Sequence, residues 1–251
     1  MPRRLGQHFM HDQDALGRIV QALGIRPGDV FVEIGPGRGA LTEHLIAALD
    51  RPLRAIEIDR SLCDGLAERW GSEALHLECA DALEYPWADS GLDPAGTRIV
   101  GNLPYNISTA LMTRLFEFNP ADMHVVVQRE VANRLSAVAG TRSYGRLTLA
   151  VQIYGSAESL FEIPPGSFSP PPKVHSALVQ LVRRPEPLLL PDAAMLEKLL
   201  RRTFSRRRKM LRSSLGESDL IRSAGIDPEA RPEQLSLFDF IRLSRAFSER
   251  R

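Results

Sequence analysis

A chain of 251 residues with 43% apolar side chains can bury one full-sized core and still carry a small second domain. Two cysteines, Cys63 and Cys79, both in segments that read as core elements, support neither a disulfide framework nor a thiolate metal site, and a reducing, cytoplasmic setting fits. No apolar run approaches the about 18 residues of a membrane span, and the first ten residues lack the apolar centre of a secretion signal, so neither insertion nor export is expected.

The net charge of +1 conceals an asymmetry. Residues 1–182 hold 16 Lys and Arg against 21 Asp and Glu, whereas residues 183–251 hold 16 against 10. A basic tail on an acidic body is the arrangement of a polyanion-binding module attached to an enzyme.

From Asp29 onward, short β-branched runs alternate with amphipathic stretches. Val30 to Ile34, Leu53 to Ile58 and Ala74 to Glu78 read as strands, with helices over Gly39 to Leu49 and Ser61 to Trp70 between them. Such β-α units predict a parallel sheet covered by helices. Arg98 to Gly101 and Met123 to Val127 supply two more strands around a helix at Ser108 to Phe118. Helices over Arg129 to Ala139 and Arg146 to Tyr154 precede a closing antiparallel hairpin of Ser159 to Ile163 and Ser176 to Val182. A Pro- and charge-rich break at Arg183 to Pro187 divides residues 1–184 from residues 185–251. Beyond it, Leu196 to Leu215, Asp219 to Ala224 and Ser236 to Phe247 read as helices, with Gly216 and Gly225 as stops.

The first strand runs into Val32-Glu33-Ile34-Gly35-Pro36-Gly37-Arg38-Gly39, where Gly35 and Gly37 permit a sharp turn and close approach of a ligand to the backbone. Such a loop also serves nicotinamide dinucleotide enzymes. The acids that follow narrow the choice: Glu57 at the tip of the second strand can accept from ribose hydroxyls, and Asp81 after the third can accept from an adenine amino group. Both fall at the carboxyl edge, where open α/β sheets bind ligands.

The fourth strand ends in Asn102-Leu103-Pro104-Tyr105. The motif, in the context "GNLPYNIST", resembles that of ribosomal RNA adenine N6-methyltransferases, and the small-subunit dimethyladenosine transferases in particular. The resemblance implies an adenine amino group as target, and the residue types suit it. An adenine N6 lone pair is delocalised into its ring, and acceptors on the amino hydrogens oppose that delocalisation. The Asn102 side-chain oxygen and the Leu103 carbonyl, fixed by Pro104, are such acceptors, and Tyr105 offers a stacking face.

Further segments extend the resemblance over almost the whole chain. "LGQHFM" is similar to the family's cofactor-capping segment and puts His8 and Met10 at its contact positions, with histidine where the family carries asparagine. "GSFSPPPKVHSALV" resembles the family's proline loop, which makes Phe168 the expected second face of an aromatic clamp opposite Tyr105 on an extruded adenine. "QREVANRL" and "YGRLTLAVQ" also match.

The resemblance implies a Rossmann-like, seven-stranded, class I S-adenosylmethionine-dependent methyltransferase domain followed by a small all-helical domain. It implies S-adenosyl-L-methionine as cofactor, held by His8, Met10, Gly35, Gly37, Glu57, Asp81, Ala82 and Asn102, with no metal. The implied reaction is N6,N6-dimethylation of two adjacent adenines in the 3′-terminal hairpin of 16S rRNA, on the small ribosomal subunit, by a monomer in the cytoplasm. Phosphate contacts are expected from Arg129, Arg134, Arg146 and Lys173, and from Arg206, Arg207, Arg208 and Lys209, which lie among seven Lys and Arg in the twelve residues Arg201 to Arg212. A ribosome-assembly factor in which methylation is secondary, and a large-subunit rRNA adenine methyltransferase, are the alternative readings.

Overall fold

The computed structural model describes residues 7–186 and 188–250; Leu5 and Gly6 of the N-terminal motif and Pro187 of the break lie outside them. The chain divides into two compact units, Met1–Ala132 with Ser156–Arg183, and Asn133–Gly155 with Arg184–Arg251. This corrects the division at residue 184 in one respect. The segment Asn133–Gly155 belongs with the C-terminal unit, because its Tyr144 and Leu149 are buried in that unit's core.

The first unit opens with β1 (Phe9–Met10) and α1 (Gln13–Leu23). The α1 helix starts where the Asp12 carboxylate caps the amides of Asp14 and Ala15, and it stops at Gly24 in the left-handed conformation. Then follow β2 (Val30–Ile34), α2 (Ala40–Ala48), β3 (Leu53–Glu57), α3 (Arg60–Ala74, interrupted at Gly71), β4 (Leu75–Cys79), β5 (Thr97–Asn102), α4 (Ser108–Phe118), β6 (Asp122–Gln128) and α5 (Arg129–Leu135). After α6 (Arg146–Tyr154) of the second unit come β7 (Gly155–Ile163), β8 (Phe168–Ser169) and β9 (Ser176–Arg183).

Seven strands form one mixed sheet in the order β4-β3-β2-β5-β6-β9-β7. The pairs from β4 to β6 are parallel, and β9 runs antiparallel to β6. Phe31, Val100, Val126 and Leu178 are buried with α1, α2 and α3 residues in one cluster, whereas the alternate residues Val32, Ile99, Val125 and Val179 are equally buried outside it. A sheet buried on both faces explains why these strands read as continuous apolar runs. Strand order reverses between β2 and β5, so the loop after β2 and the end of β5 flank the crevice in which open α/β sheets bind ligands.

The two cysteines form a disulfide between α3 and the end of β4, with Cα atoms 6.0 Å apart. The count of two cysteines supports no disulfide framework, and this single bridge departs from that expectation. Composition could not reveal it, since the pair arises from the return of α3 alongside the β4 strand that follows it.

The second unit contains α6, α7 (Ala193–Phe204), α8 (Leu211–Leu215), α9 (Ser218–Ser223) and α10 (Leu237–Glu249). Met195, Leu199, Leu215, Ile221, Phe240 and Leu243 close its core, and the Tyr144 hydroxyl donates to the Leu235 carbonyl at 2.8 Å. Burial, with a smaller contribution from the Asp239 carboxylate, pushes the Tyr144 phenol up to about 12. The stretch expected as one helix from Leu196 to Leu215 is two, α7 and α8, parted by the basic turn. Among the described residues no helix is long and apolar enough to cross a membrane.

Candidate active site

The turn after β2 is shaped by its left-handed glycines and by contacts to Phe9 and Glu57. Gly37 has φ of +60°, and a Cβ there would stand 3.1 Å from the Phe9 ring. Its amide donates to Glu57 Oε2 at 3.0 Å, while Glu57 Oε1 accepts from the amides of Ile58 (2.9 Å) and Asp59 (3.0 Å). The Glu57 carboxylate, 2% exposed, thus ties the glycine turn to the tip of β3. A carboxylate has about four acceptor positions, so three amides leave one over. At the end of β5, a Cβ on Gly101 would lie 2.4 Å from the Ile34 carbonyl oxygen, so only glycine lets β5 run this close to β2.

Two clefts meet at this edge, and Gly35 and Pro104 line both. The larger, of about 630 Å³, is lined by Ile56, Ile58, Asp81 and Ala82. Ile58, 47% exposed, gives this lining an apolar surface. Asp81 Oδ1 accepts from the Leu83 amide at 2.9 Å. The smaller cleft brings together His8, Met10, Glu33, Asn102, Leu103 and Tyr105. The Asn102 side-chain amide donates to the His8 carbonyl at 2.9 Å, and its Oδ1 is buried with no hydrogen-bond partner among the described residues. An orphaned acceptor at a cleft wall fits a ligand that brings an N–H.

Tyr105 is pinned by its hydroxyl, 2.5 Å from Ser176 Oγ. Desolvation raises its pKa, and the Ser176 bond opposes that rise. The ring stacked on Tyr105 is that of His8, at 5.2 Å between centroids and 29° between planes. Phe168, expected in that place, is instead 2% exposed and packed in the core with Met10 and Leu16. The physical reason is local: β8 pairs with β1, setting Phe168 opposite Met10.

Glu33 was not among the expected site residues. It is buried on β2 and lines the same cleft as Asn102, accepts from the Thr42 hydroxyl at 2.7 Å, and is pushed up to about 8 chiefly by desolvation, with the Thr42 bond opposing and the Glu57 charge adding. Its signal lay in the sequence, since an ionisable residue inside an apolar parallel strand is seldom buried without a task. Arg38 also lines this cleft, its guanidinium 4.5 Å from the centre of the Phe9 ring.

The expected phosphate contacts fall in both units. In the first, Lys173 is exposed and Arg129 lies 3.7 Å from Glu162. In the second, Arg134 is half-buried and Arg146 pairs with Glu197 at 2.6 Å. Arg206, Arg208 and Lys209 are exposed on the turn after α7, whereas Arg207 points back to donate to the carbonyls of Thr141 and Arg142 and lies 3.8 Å from Glu233. No cluster of potential metal ligands occurs among the described residues.

The model of the family described as ribosomal RNA adenine dimethylase matches residues 2–249. The chain is 45% identical to the ribosomal RNA small subunit methyltransferase A of Acinetobacter baylyi, over 96% of this chain and 90% of that one. It is 42% identical to the protein of the same name in Pseudomonas aeruginosa, over 98% and 94%. Among solved structures it is similar to a dimethyladenosine transferase from Plasmodium falciparum (TM-score 0.82, 26% identity, 96% of this chain and 98% of that one). The 23S rRNA methyltransferase ErmE is also similar (TM-score 0.71, 26% identity, 96% and 99%). A glycine turn at the sheet's switch point, an Asn-Leu-Pro-Tyr strand end with a vacant acceptor and a match of nearly full length agree: the chain belongs to the ribosomal RNA adenine dimethylase family of methyltransferases.

Proposed function

We propose that this protein uses S-adenosyl-L-methionine to dimethylate the N6 amino groups of two adjacent adenines in the 3′-terminal hairpin of 16S rRNA, acting as a cytoplasmic monomer on the small ribosomal subunit. The observation that carries the reading is the Asn102 side chain, whose buried Oδ1 lacks a partner among the described residues on the wall shared with Tyr105 and Pro104. Relatives named for the small subunit match at 40–45% identity, which favours that substrate over the large subunit.

The cofactor would supply an electrophilic methyl on a sulfonium. The residues present suit it: Asp81 beside Ile56 and Ile58 for its adenine, the remaining Glu57 acceptor position for a ribose hydroxyl, and Gly35 and Gly37 for close backbone approach. Asn102 Oδ1 and the Leu103 carbonyl accept the target N6 hydrogens and favour a tetrahedral nitrogen, while Tyr105 carries the base face. Catalysis on this scheme is mainly positioning. The methylated nitrogen is acidic enough to shed its proton without a strong base. Stacking is worth about 1–3 kcal/mol per base, comparable with the few that extrusion costs. The exposed Arg206, Arg208 and Lys209, with Arg129, Arg134, Arg146 and Lys173, contact phosphate in this reading, and Arg207 serves by holding their turn.

The test is transfer of labelled methyl from S-adenosylmethionine to undermethylated small subunits, by wild type and Asn102→Ala in parallel, with nucleoside analysis. Dimethyladenosine from wild type alone supports the reading. Subunit binding without transfer by wild type would make the protein an assembly factor.

A further inference from the structure

We infer that the His8 side chain is an internal place-holder for the target base: it occupies the face of Tyr105 on which an extruded adenine must stack, and substrate binding displaces it. The inference rests on the adenine reading of the Asn102–Tyr105 strand end.

Two rings already in stacking contact, at 5.2 Å and 29°, leave no room for a third between them. One of the two must move, and the structure distinguishes them. Tyr105 is anchored at its far end by the hydroxyl bond to Ser176 and is flanked by Pro104. The His8 ring, half-buried, is held at Nδ1 by the carbonyl of Pro170, 2.6 Å away, at the start of the proline run.

The His8 main chain is secured separately. The strand that follows it pairs Phe9 with Ser169 and Met10 with Phe168, the Phe9 ring lies against Gly37 and the Arg38 guanidinium, and the His8 carbonyl accepts from Asn102. Side-chain rotation alone can therefore clear the Tyr105 face while the carbonyl goes on orienting the Asn102 amide. Because His8 Nδ1 is engaged with Pro170, the place-holder leaves Asn102 Oδ1 without a partner. A purine bearing an exocyclic amine supplies both the stack and the missing donor. A base without an exocyclic amine recovers the stack only, so the displacement step favours amino-bearing bases such as adenine over uracil.

The experiment measures binding of adenosine 5′-monophosphate by calorimetry, to protein saturated with S-adenosylhomocysteine, for wild type, His8→Ala and His8→Phe. Methyl transfer to undermethylated small subunits is followed in parallel. Removing a competing stack should tighten nucleotide binding by about three- to tenfold in His8→Ala, and a stronger competing ring should weaken it in His8→Phe. The KM for subunits should move in the same directions.

A merely structural role for His8 would instead lower affinity in both variants, and a shift of both in one direction overturns the inference. Binding by His8→Ala no tighter than wild type does so too. If wild type transfers methyl normally under either of those outcomes, the adenine reading survives and only the place-holder falls. If none of the three binds the nucleotide and wild type transfers no methyl, both fall together.

Discussion

The Asn102 amide nitrogen donates to the His8 carbonyl at 2.9 Å, and that one bond decides which end of the amide faces the cleft. With the nitrogen committed, the oxygen is left as a buried acceptor lacking a partner among the described residues, an arrangement that costs about 1–3 kcal/mol until a donor arrives. Asn102→Ala removes the acceptor but neither the Leu103 carbonyl nor Tyr105. Its kcat for methyl transfer should fall by roughly 10²–10³, the scale on which one preorganised polar group acts, with S-adenosylhomocysteine affinity changing far less. Single-turnover transfer and calorimetry read the two quantities separately; a kcat within threefold of wild type would remove Asn102 from the chemistry.

Glu33 makes stability depend on pH in a defined direction. Its folded-state pKa, about 8, lies above the ordinary 4.5 because burial disfavours the charged form. Between those values the unfolded chain has released the proton and the folded chain still holds it, so stability falls as pH rises from about 5 to 8 and levels off beyond. For one proton the slope approaches about 1.4 kcal/mol per pH unit. Glu33→Gln keeps the shape without the ionisation. Urea midpoints measured from pH 5 to 9 should therefore show a flatter profile for the variant, and parallel profiles would contradict the assignment.

Arg98 sits at the opposite end of β5 from the site and holds three segments. Its guanidinium lies 2.6 Å from Asp29, 2.9 Å from Asp122 and 2.6 Å from the Leu23 carbonyl, and stacks over the Phe31 ring at 4.6 Å. With the side chain 13% exposed, truncation strands two partly buried carboxylates rather than losing a surface pair. Arg98→Ala should cost about 3 kcal/mol in urea unfolding, and Asp29→Asn/Asp122→Asn should recover part of that loss in the triple variant. Absence of any recovery would mean the damage came from lost packing alone.

The strands β2, β5 and β6 were legible because burial on both faces gives each an apolar run, β3 and the edge strand β4 because they alternate with helical stretches, and Asn102 and Gly37 because their residue types suit a strand end and a tight turn. The α1 helix was not read, although Asp12 as cap and Gly24 as stop both stand in the sequence. Phe168 shows the limit of local reading. A phenylalanine before a proline run is equally compatible with a clamp and with a core, and the two-residue pairing of β1 with β8 decides for the core. The Cys63–Cys79 pair and the return of Asn133–Gly155 to the C-terminal unit are long-range facts of the same kind, fixed by chain paths that no motif spells out.

The four consecutive cations of the basic turn divide into two classes that one titration separates. Arg206, Arg208 and Lys209 are exposed, so replacing any of them by Gln should lower the log–log salt slope of RNA binding by about 0.7–0.9 and leave thermal stability near wild type. Arg207 is turned inward, with its guanidinium on the carbonyls of Thr141 and Arg142 and near Glu233. Arg207→Gln should leave those acceptors underbonded and destabilise the helical unit by about 1–3 kcal/mol, while the salt slope stays close to wild type. Filter binding of 16S rRNA fragments from 50 to 300 mM salt, set beside melting curves of the same four variants, reads both effects. If Arg207→Gln instead lowers the slope as much as its neighbours with no loss of stability, its guanidinium reaches phosphate and the inward contacts are dispensable.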